Sequence, residues 1–137
     1  MLGTQLQPFP TQWTLVFILL SGCNQNNNQA KLPLSGGYFL WRTSAHNIFV
    51  APETSNSRIP MIPTKVIELN WNNHYIIGKQ LVPISLRNYY KDQSNVYWIL
   101  DLDHSKSEGP LSPNEFHTRV AQLRIEGLLP LIGVDKI

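Results

Sequence analysis

The stretch KVIELNWNNHYIIGK (residues 65–79) shows most clearly how this chain folds. Two arms rich in β-branched and aromatic residues flank the dipeptide Asn72-Asn73, which is typical of a tight turn. In the first arm, positions 66, 68 and 70 alternate with the apolar residues at 67, 69 and 71. A period of two predicts a strand with one face on a core and the other in water. We therefore expect an antiparallel hairpin here.

Two further stretches follow the same pattern. Gly37–Arg42 and Ile48–Val50 flank a polar turn, and Val96–Leu102 precedes a polar turn at 103–108 and then Gly109-Pro-Leu. Three hairpins predict one antiparallel sheet of about six strands. Between them, the proline-rich segment 51–64 is expected to be an exposed connector, whereas segment 83–94 can continue as an edge strand.

The pattern changes to a helical period after the third hairpin. Ser112-Pro-Asn-Glu is a capping box with proline at the first helical position, and it predicts a helix start. Phe116, Val120 and Leu123 then lie on one helical face, and Gly127 should end a helix of about 13 residues. The predicted fold class is mainly β (α+β), with this C-terminal helix packed on the sheet.

The N-terminal region has a pattern that predicts lipid attachment. Trp13–Leu20 is an eight-residue apolar run, too short for the ~20 residues of a membrane-spanning helix. It suits the apolar core of a signal peptide, and Leu20-Ser-Gly-Cys23 resembles the bacterial lipobox, in which the cysteine is acylated. We therefore predict a signal peptide at 1–22, a polar tether at 23–36 and one globular domain at 37–137.

Cys23 has two alternative interpretations. It can be a core cysteine next to a buried element at 13–20, or a reactive thiol. The polar tract that begins at Asn24 argues against burial, whereas the absence of Lys and Arg from residues 1–12 is unusual for a signal peptide. If the anchor is correct, the protein belongs to the cell envelope, and Asn24 favours the outer membrane in a Gram-negative cell.

Composition excludes several classes of function. The 137 residues carry a net charge of +2, which is too small to indicate a nucleic-acid partner. Because Cys23 is the single cysteine, no intramolecular disulfide can form. The chain has no phosphate loop, dinucleotide fingerprint or serine-nucleophile motif, so no cofactor is predicted.

Few residues are candidates for chemistry. His46, His74, His104 and His117 show no helical or strand spacing typical of metal ligands, so no metal site is predicted, although His46 and His74 occupy similar turn positions. Asp101, Asp103 and His104 end a strand, where turn hydrogen bonding explains them better than catalysis. We therefore assign no catalytic residue. The chain's strand tryptophans would form a binding patch if they were exposed together, and they are Trp41, Trp71 and Trp98.

A family resemblance rests on three segments. They are YWILDLDHSKSEGPLSPNEFHTRVAQL (97–123), NWNNHYIIGKQ (70–80) and RTSAHNIFV (42–50). Together they resemble a family of small bacterial lipoproteins that carry a domain of unknown function. The resemblance implies a domain anchored in the cell envelope and does not imply any catalytic residues.

These observations favour a lipid-anchored binding or interaction module. Its expected partners are the membrane, through the anchor, and an envelope protein or glycan. Two alternatives stay open. One is an envelope hydrolase that uses Asp101, Asp103 and His104, and the other is an inhibitor or immunity-type protein that acts through a loop such as 51–64.

Overall fold

The computed structural model describes residues 30–54 and 58–137, which form two antiparallel sheets and one α-helix. None of the helices in these two ranges is both long and apolar enough to cross a bilayer. The eight strands are β1 (Ala30–Pro33), β2 (Tyr38–Arg42), β3 (Ile48–Pro52), β4 (Val66–Trp71), β5 (Tyr75–Leu81), β6 (Asn95–Asp101), β7 (Lys106–Leu111) and β8 (Ile132–Gly133), and the helix is α1 (Pro113–Leu123).

The smaller sheet has three strands in the order β1-β2-β3. Leu40 pairs with Val50, and both side chains are buried on the face that meets the larger sheet. Residues of the opposite parity lie on the other face, where the ring of Trp41 stacks on Phe49 with centroids 6.2 Å apart. The alternation thus gives this sheet one core face and one outer face that carries half-buried aromatic rings.

The larger sheet has five strands in the order β7-β6-β5-β4-β8. Its central strands are β5 and β6, in which Ile77 pairs with Ile99. The smaller sheet covers one face, and α1 together with the C-terminal segment covers the other. Both strands are therefore buried on two sides, which explains the apolar runs Tyr75–Ile77 and Val96–Leu100 within them.

Two hydrophobic clusters hold these layers together. The first lies between the sheets, and its buried members are Leu40, Ile48, Val50, Ile62, Val66, Leu69, Ile76, Leu100 and Val134. The second lies between the larger sheet and α1, and its buried members are Ile77, Ile99, Phe116, Val120 and Ile125. The described residues thus form three layers: sheet, sheet and helix.

The helix begins as the sequence predicts and ends earlier. The Ser112 side chain accepts from the Glu115 amide, and the Glu115 carboxylate accepts from the Ser112 amide, so the capping box is complete. The helix has 11 residues and ends at Leu123, and the next residue, Arg124, adopts the left-handed conformation. Gly127 lies beyond it, in a short 3₁₀ turn, and is not the residue that ends the helix.

The mainly β fold class and the C-terminal helix are confirmed, with four differences in detail. The strands form two sheets instead of one, and Ala30–Pro33, which lies within the predicted tether, forms β1. Ile62, in the expected exposed connector, is buried and exchanges two backbone hydrogen bonds with Val50. Segment Ile84–Tyr90 is a 3₁₀ helix instead of an edge strand.

The expected division of β4 into a core face and a wet face is also wrong. A bulge between Val66 and Glu68 shifts the register, so that Val66 and Leu69 are both buried in the cluster between the sheets. Asn70, on the face we expected to be wet, donates to the carbonyl of Leu128 at 2.9 Å. The strict alternation fails because a bulge adds one residue to one strand only and the C-terminal segment covers the other face.

Candidate functional site

An open cleft of about 300 Å³ lies where the two sheets approach each other at one end. Three parts of the chain meet there: the β2–β3 turn, the start of β4, and the end of β5 with the 3₁₀ helix that follows it. The lining residues are His46, Lys65, Leu81, Val82, Pro83, Ile84 and Arg87. The cleft therefore combines basic side chains with apolar walls and has no carboxylate among its lining residues.

A buried polar network fixes the walls of this cleft. The side-chain amide of Gln80, which is 1% exposed, donates to the carbonyl of Thr64 at 2.6 Å. The Thr64 hydroxyl donates to the carbonyl of His46 and accepts from the backbone amide of Ile48. Lys65 follows Thr64 directly and exchanges backbone hydrogen bonds with Leu81. These bonds tie the β2–β3 turn to the larger sheet, so the cleft is a fixed feature of the fold.

The basic side chains of the cleft lack partners within the described chain. His46, Lys65 and Arg87 make no side-chain hydrogen bond or ion pair with any residue in the described ranges. The Nε atom of Arg87 is shielded from solvent and has no hydrogen-bond partner there. A buried donor without a partner costs about 1–3 kcal/mol. The arrangement therefore suits an anionic ligand, whose oxygens would accept from these donors.

The 3₁₀ helix beside the cleft exposes large apolar side chains. Ile84 is 80% exposed, Tyr89 is 82% exposed and Leu86 is 39% exposed. Three of the six exposed large hydrophobic side chains in the described ranges thus belong to this one segment. Concentration of apolar surface in one place is typical of an interaction site.

Two histidine–carboxylate pairs lie at the opposite end of the larger sheet. Nδ1 of His74 lies 2.8 Å from Oδ2 of Asp103, and Nδ1 of His104 lies 2.9 Å from Oδ2 of Asp101. The backbone amide of His104 also donates to Asp101. The His74 and His104 side chains are 63% and 70% exposed, so water surrounds both imidazoles.

The electrostatics of this end follow from these contacts. Burial alone would raise the pKa of Asp101, but the hydrogen bonds from the His104 side chain and backbone outweigh it and leave the pKa below its ordinary value. The pKa of the neighbouring Tyr75 hydroxyl is raised by burial and by the charge of Asp101. Within the described ranges, no three His, Cys, Asp or Glu side chains are grouped so that they could hold a metal ion.

The structure separates the three strand tryptophans. Trp71 and Trp98 pack against the cluster between the sheets, and the Trp98 indole donates to Gln80 at 2.7 Å. Trp41 lies on the outer face of the smaller sheet, where its indole donates to the Ala51 carbonyl. Lys31 covers Trp41, with its Nζ 5.4 Å from the ring centroid. The three rings therefore do not form one exposed patch.

The structure also bears on the other candidates from the sequence, which are the histidine pair and the cysteine. His46 and His74 lie at opposite ends of the larger sheet and do not meet, and Cys23 lies outside the described residues. Lys65 and Arg87 are site residues that the sequence does not predict. No sequence pattern marks these two residues, because the exposure of Ile84, Leu86 and Tyr89 beside them becomes visible only in the structure.

The fold and the cleft together define a class: a mainly β domain of two sheets and a helix, with a basic and apolar cleft at one end. Its sequence matches, over residues 35–135, a family described as "Protein of unknown function (DUF3997)". The chain belongs to this family. Comparison with curated proteins and with solved structures gives no match.

Proposed function

We propose that this chain is a lipid-anchored cell-envelope protein. The support is the order of features before the domain: an apolar run, then Leu20-Ser-Gly-Cys23, then a polar tract. Acyl chains bind to a bilayer with about 0.8 kcal/mol per buried CH₂, so two or three chains hold a protein there without a spanning helix. The polar tract would link the anchored cysteine to β1.

We further propose that the domain is a binding module, and one observation carries this. Three basic side chains without partners in the described chain share a cleft with apolar walls, and an exposed apolar segment lies beside it. A site that catalyses a reaction usually holds its reactive groups away from water, often with a perturbed pKa. This cleft has fixed walls and cationic groups, which suits recognition of an anion.

Acylation can be tested by metabolic labelling with a clickable fatty acid. We expect label on the wild-type protein and none on Cys23→Ser, because the chain contains no second cysteine. Asn27→Ser is the matched control, since it changes a polar residue of the same tract and should keep the label. Label that survives in Cys23→Ser would refute the anchor.

The hydrolase alternative depends on the His74–Asp103 and His104–Asp101 pairs. Each pair orients an imidazole, as a general base requires, but both imidazoles are mostly exposed. Hydrolysis of chromogenic ester, phosphoester and glycoside substrates by wild type and His104→Ala distinguishes the two functions. We expect no hydrolysis that depends on His104. A loss of turnover of ~10²-fold or more in a folded His104→Ala protein would instead support the enzyme.

The inhibitor alternative depends on a protruding 51–64 loop. The second half of that segment is fixed at Ile62, whose side chain is buried between the sheets and whose backbone pairs with Val50. In addition, the Tyr38 hydroxyl donates to the Pro60 carbonyl at 2.9 Å. These contacts hold residues 60–62 against the domain, so they favour the cleft over this part of the segment as the interaction site.

A further inference from the structure

The position at which the chain joins the domain determines which end would face an anchoring membrane. Ala30 pairs with Arg42, the last residue of β2, and Arg42 pairs with Ile48 across the β2–β3 turn. His46 in that turn lines the cleft. Ala30 follows Cys23 by seven residues, which span at most about 25 Å when fully extended. A lipid on Cys23 would therefore keep the cleft end of the domain close to the bilayer.

We propose that the cleft end of this domain is a membrane-contact surface that binds anionic phospholipid headgroups. The inference rests on the proposed acylation of Cys23 and adds a second contact to it. His46, Lys65 and Arg87 receive a lipid phosphate in the cleft. Ile84, Leu86 and Tyr89 enter the headgroup region.

The chemistry of this end matches an anionic bilayer surface. A lysine or arginine near such a surface strengthens binding about fivefold. Aliphatic side chains enter the interface, and tyrosine suits it because its ring is apolar and its hydroxyl remains hydrated. Lys91 and Asp92, both exposed after the 3₁₀ helix, cancel each other in charge. The residues that carry the contact are therefore the three basic groups and the three apolar side chains.

The opposite end of the larger sheet is unsuited to this contact. Asp101 and Asp103 lie there together with Lys106, which pairs with Asp101 in the sheet, and Glu108 in β7 forms an ion pair with Arg119. Carboxylates are repelled by an anionic surface. The three basic groups of the cleft and these two aspartates therefore lie at opposite ends of the larger sheet.

A fluorescence measurement on the full acylated chain tests this orientation. The Tyr89→Cys variant is labelled with a maleimide of the environment-sensitive dye NBD and placed in vesicles of phosphatidylglycerol and phosphatidylcholine. Asn73→Cys is the control, because Asn73 is exposed in the β4–β5 turn at the opposite end. We expect the emission of the dye at position 89 to shift to the blue and brighten on the vesicles, with no change at position 73.

The same experiment distinguishes a protein that is not acylated at Cys23 from an acylated protein whose cleft end does not contact the membrane. Acylation blocks the Cys23 thiol, so one dye per chain together with the added mass of the lipid shows that the anchor is present, whereas two dyes per chain refute it. With one dye per chain, an unchanged emission at position 89 overturns the membrane-contact surface and leaves the cleft to a soluble acidic partner. An equal response on pure phosphatidylcholine vesicles overturns the role of the cleft in binding anionic headgroups.

Two added substitutions test the cleft and the apolar segment separately in the Tyr89→Cys background. Arg87→Gln should reduce the ratio of docked to free domain about fivefold on the anionic vesicles, and added salt should weaken docking of the unsubstituted domain. Ile84→Ser should also reduce docking, and the factor by which it does so should change little with the salt concentration. The matched control is Arg124→Gln, an exposed arginine after α1, which should leave the emission unchanged. Equal emission from Arg87→Gln and Arg124→Gln would contradict the proposal.

Discussion

The indole nitrogen of Trp98 donates a hydrogen bond to Oε1 of Gln80 over 2.7 Å, beside the cluster that joins the two sheets. The side-chain amide nitrogen of Gln80 in turn donates a hydrogen bond to the carbonyl of Thr64. Strands β5 and β6 are thereby linked to the segment that supports the cleft. A buried glutamine is costly unless both ends of its amide have partners, and here both do.

The first prediction is that Gln80→Leu destabilises the domain. The exchange keeps a similar size but leaves the Trp98 N–H and the Thr64 carbonyl without their partner, which should cost about 1–3 kcal/mol of unfolding free energy. Urea unfolding measures the loss. Gln93→Leu, a partly exposed position of the loop before β6, is the control and should change stability little. Equal stability of the two variants would show that the network does not support the fold.

The second prediction concerns Gly109, which packs against Trp98. A Cβ at position 109 would lie 2.3 Å from Cε3 of the indole, and its φ of +156° also disfavours a side chain. Gly109→Ala should therefore destabilise the domain by about 1–3 kcal/mol or more. Gly127→Ala is the control, because nothing lies within 4 Å of a Cβ there. The melting temperatures of the two variants compare them directly, and a Gly109→Ala protein as stable as Gly127→Ala would contradict the packing.

The third prediction concerns the start of α1. Ser112→Ala removes the acceptor for the Glu115 amide and should cost about 1 kcal/mol of stability. Ser85→Ala changes an exposed serine of the 3₁₀ helix and should have no measurable effect. Thermal unfolding of both variants provides the comparison. A Ser112→Ala protein with wild-type stability would mean that packing of Phe116 and Val120 fixes the helix without its cap.

The fourth prediction is a pH dependence that arises from Asp101. Because hydrogen bonds from His104 lower the pKa of Asp101 in the fold, the unfolded chain binds a proton more readily than the folded one. The stabilising contribution is therefore complete above the ordinary range of an aspartate and is lost as the pH falls through the lowered pKa. Asp101→Asn should flatten the acidic limb of a plot of stability against pH. An unchanged acidic limb would show that the Asp101–His104 pair contributes nothing to the pH dependence of stability.

The sequence predicted most of the fold because its signals are local. The three hairpins, the capping box and the mainly β class follow from alternation, turn residues and cap chemistry within short windows. The end of the helix was misplaced because Arg124 adopts a left-handed conformation that glycine usually supplies. The division into two sheets depends on which strands pair beyond the hairpins, and no local pattern specifies that.

The candidate site was harder to predict for the same reason. His46, Lys65 and Arg87 are far apart in the sequence and meet only in the folded chain, where the Thr64 hydroxyl helps to hold the β2–β3 turn beside the larger sheet. The three strand tryptophans, by contrast, are conspicuous in the sequence as a possible binding patch, but Trp71 and Trp98 pack against the cluster between the sheets. The prediction for Cys23 needed no tertiary structure, since it rests on a contiguous motif.

The intact mass of the native protein, purified from membranes with its anchor intact, tests the central claim most directly. We predict a chain that begins at Cys23 and carries the added mass of a diacylglyceryl group and its acyl chains. Matched material from Cys23→Ser should retain residues 1–22 and carry no lipid. A native protein that retains Met1, or that begins at Cys23 without added lipid mass, would contradict the account.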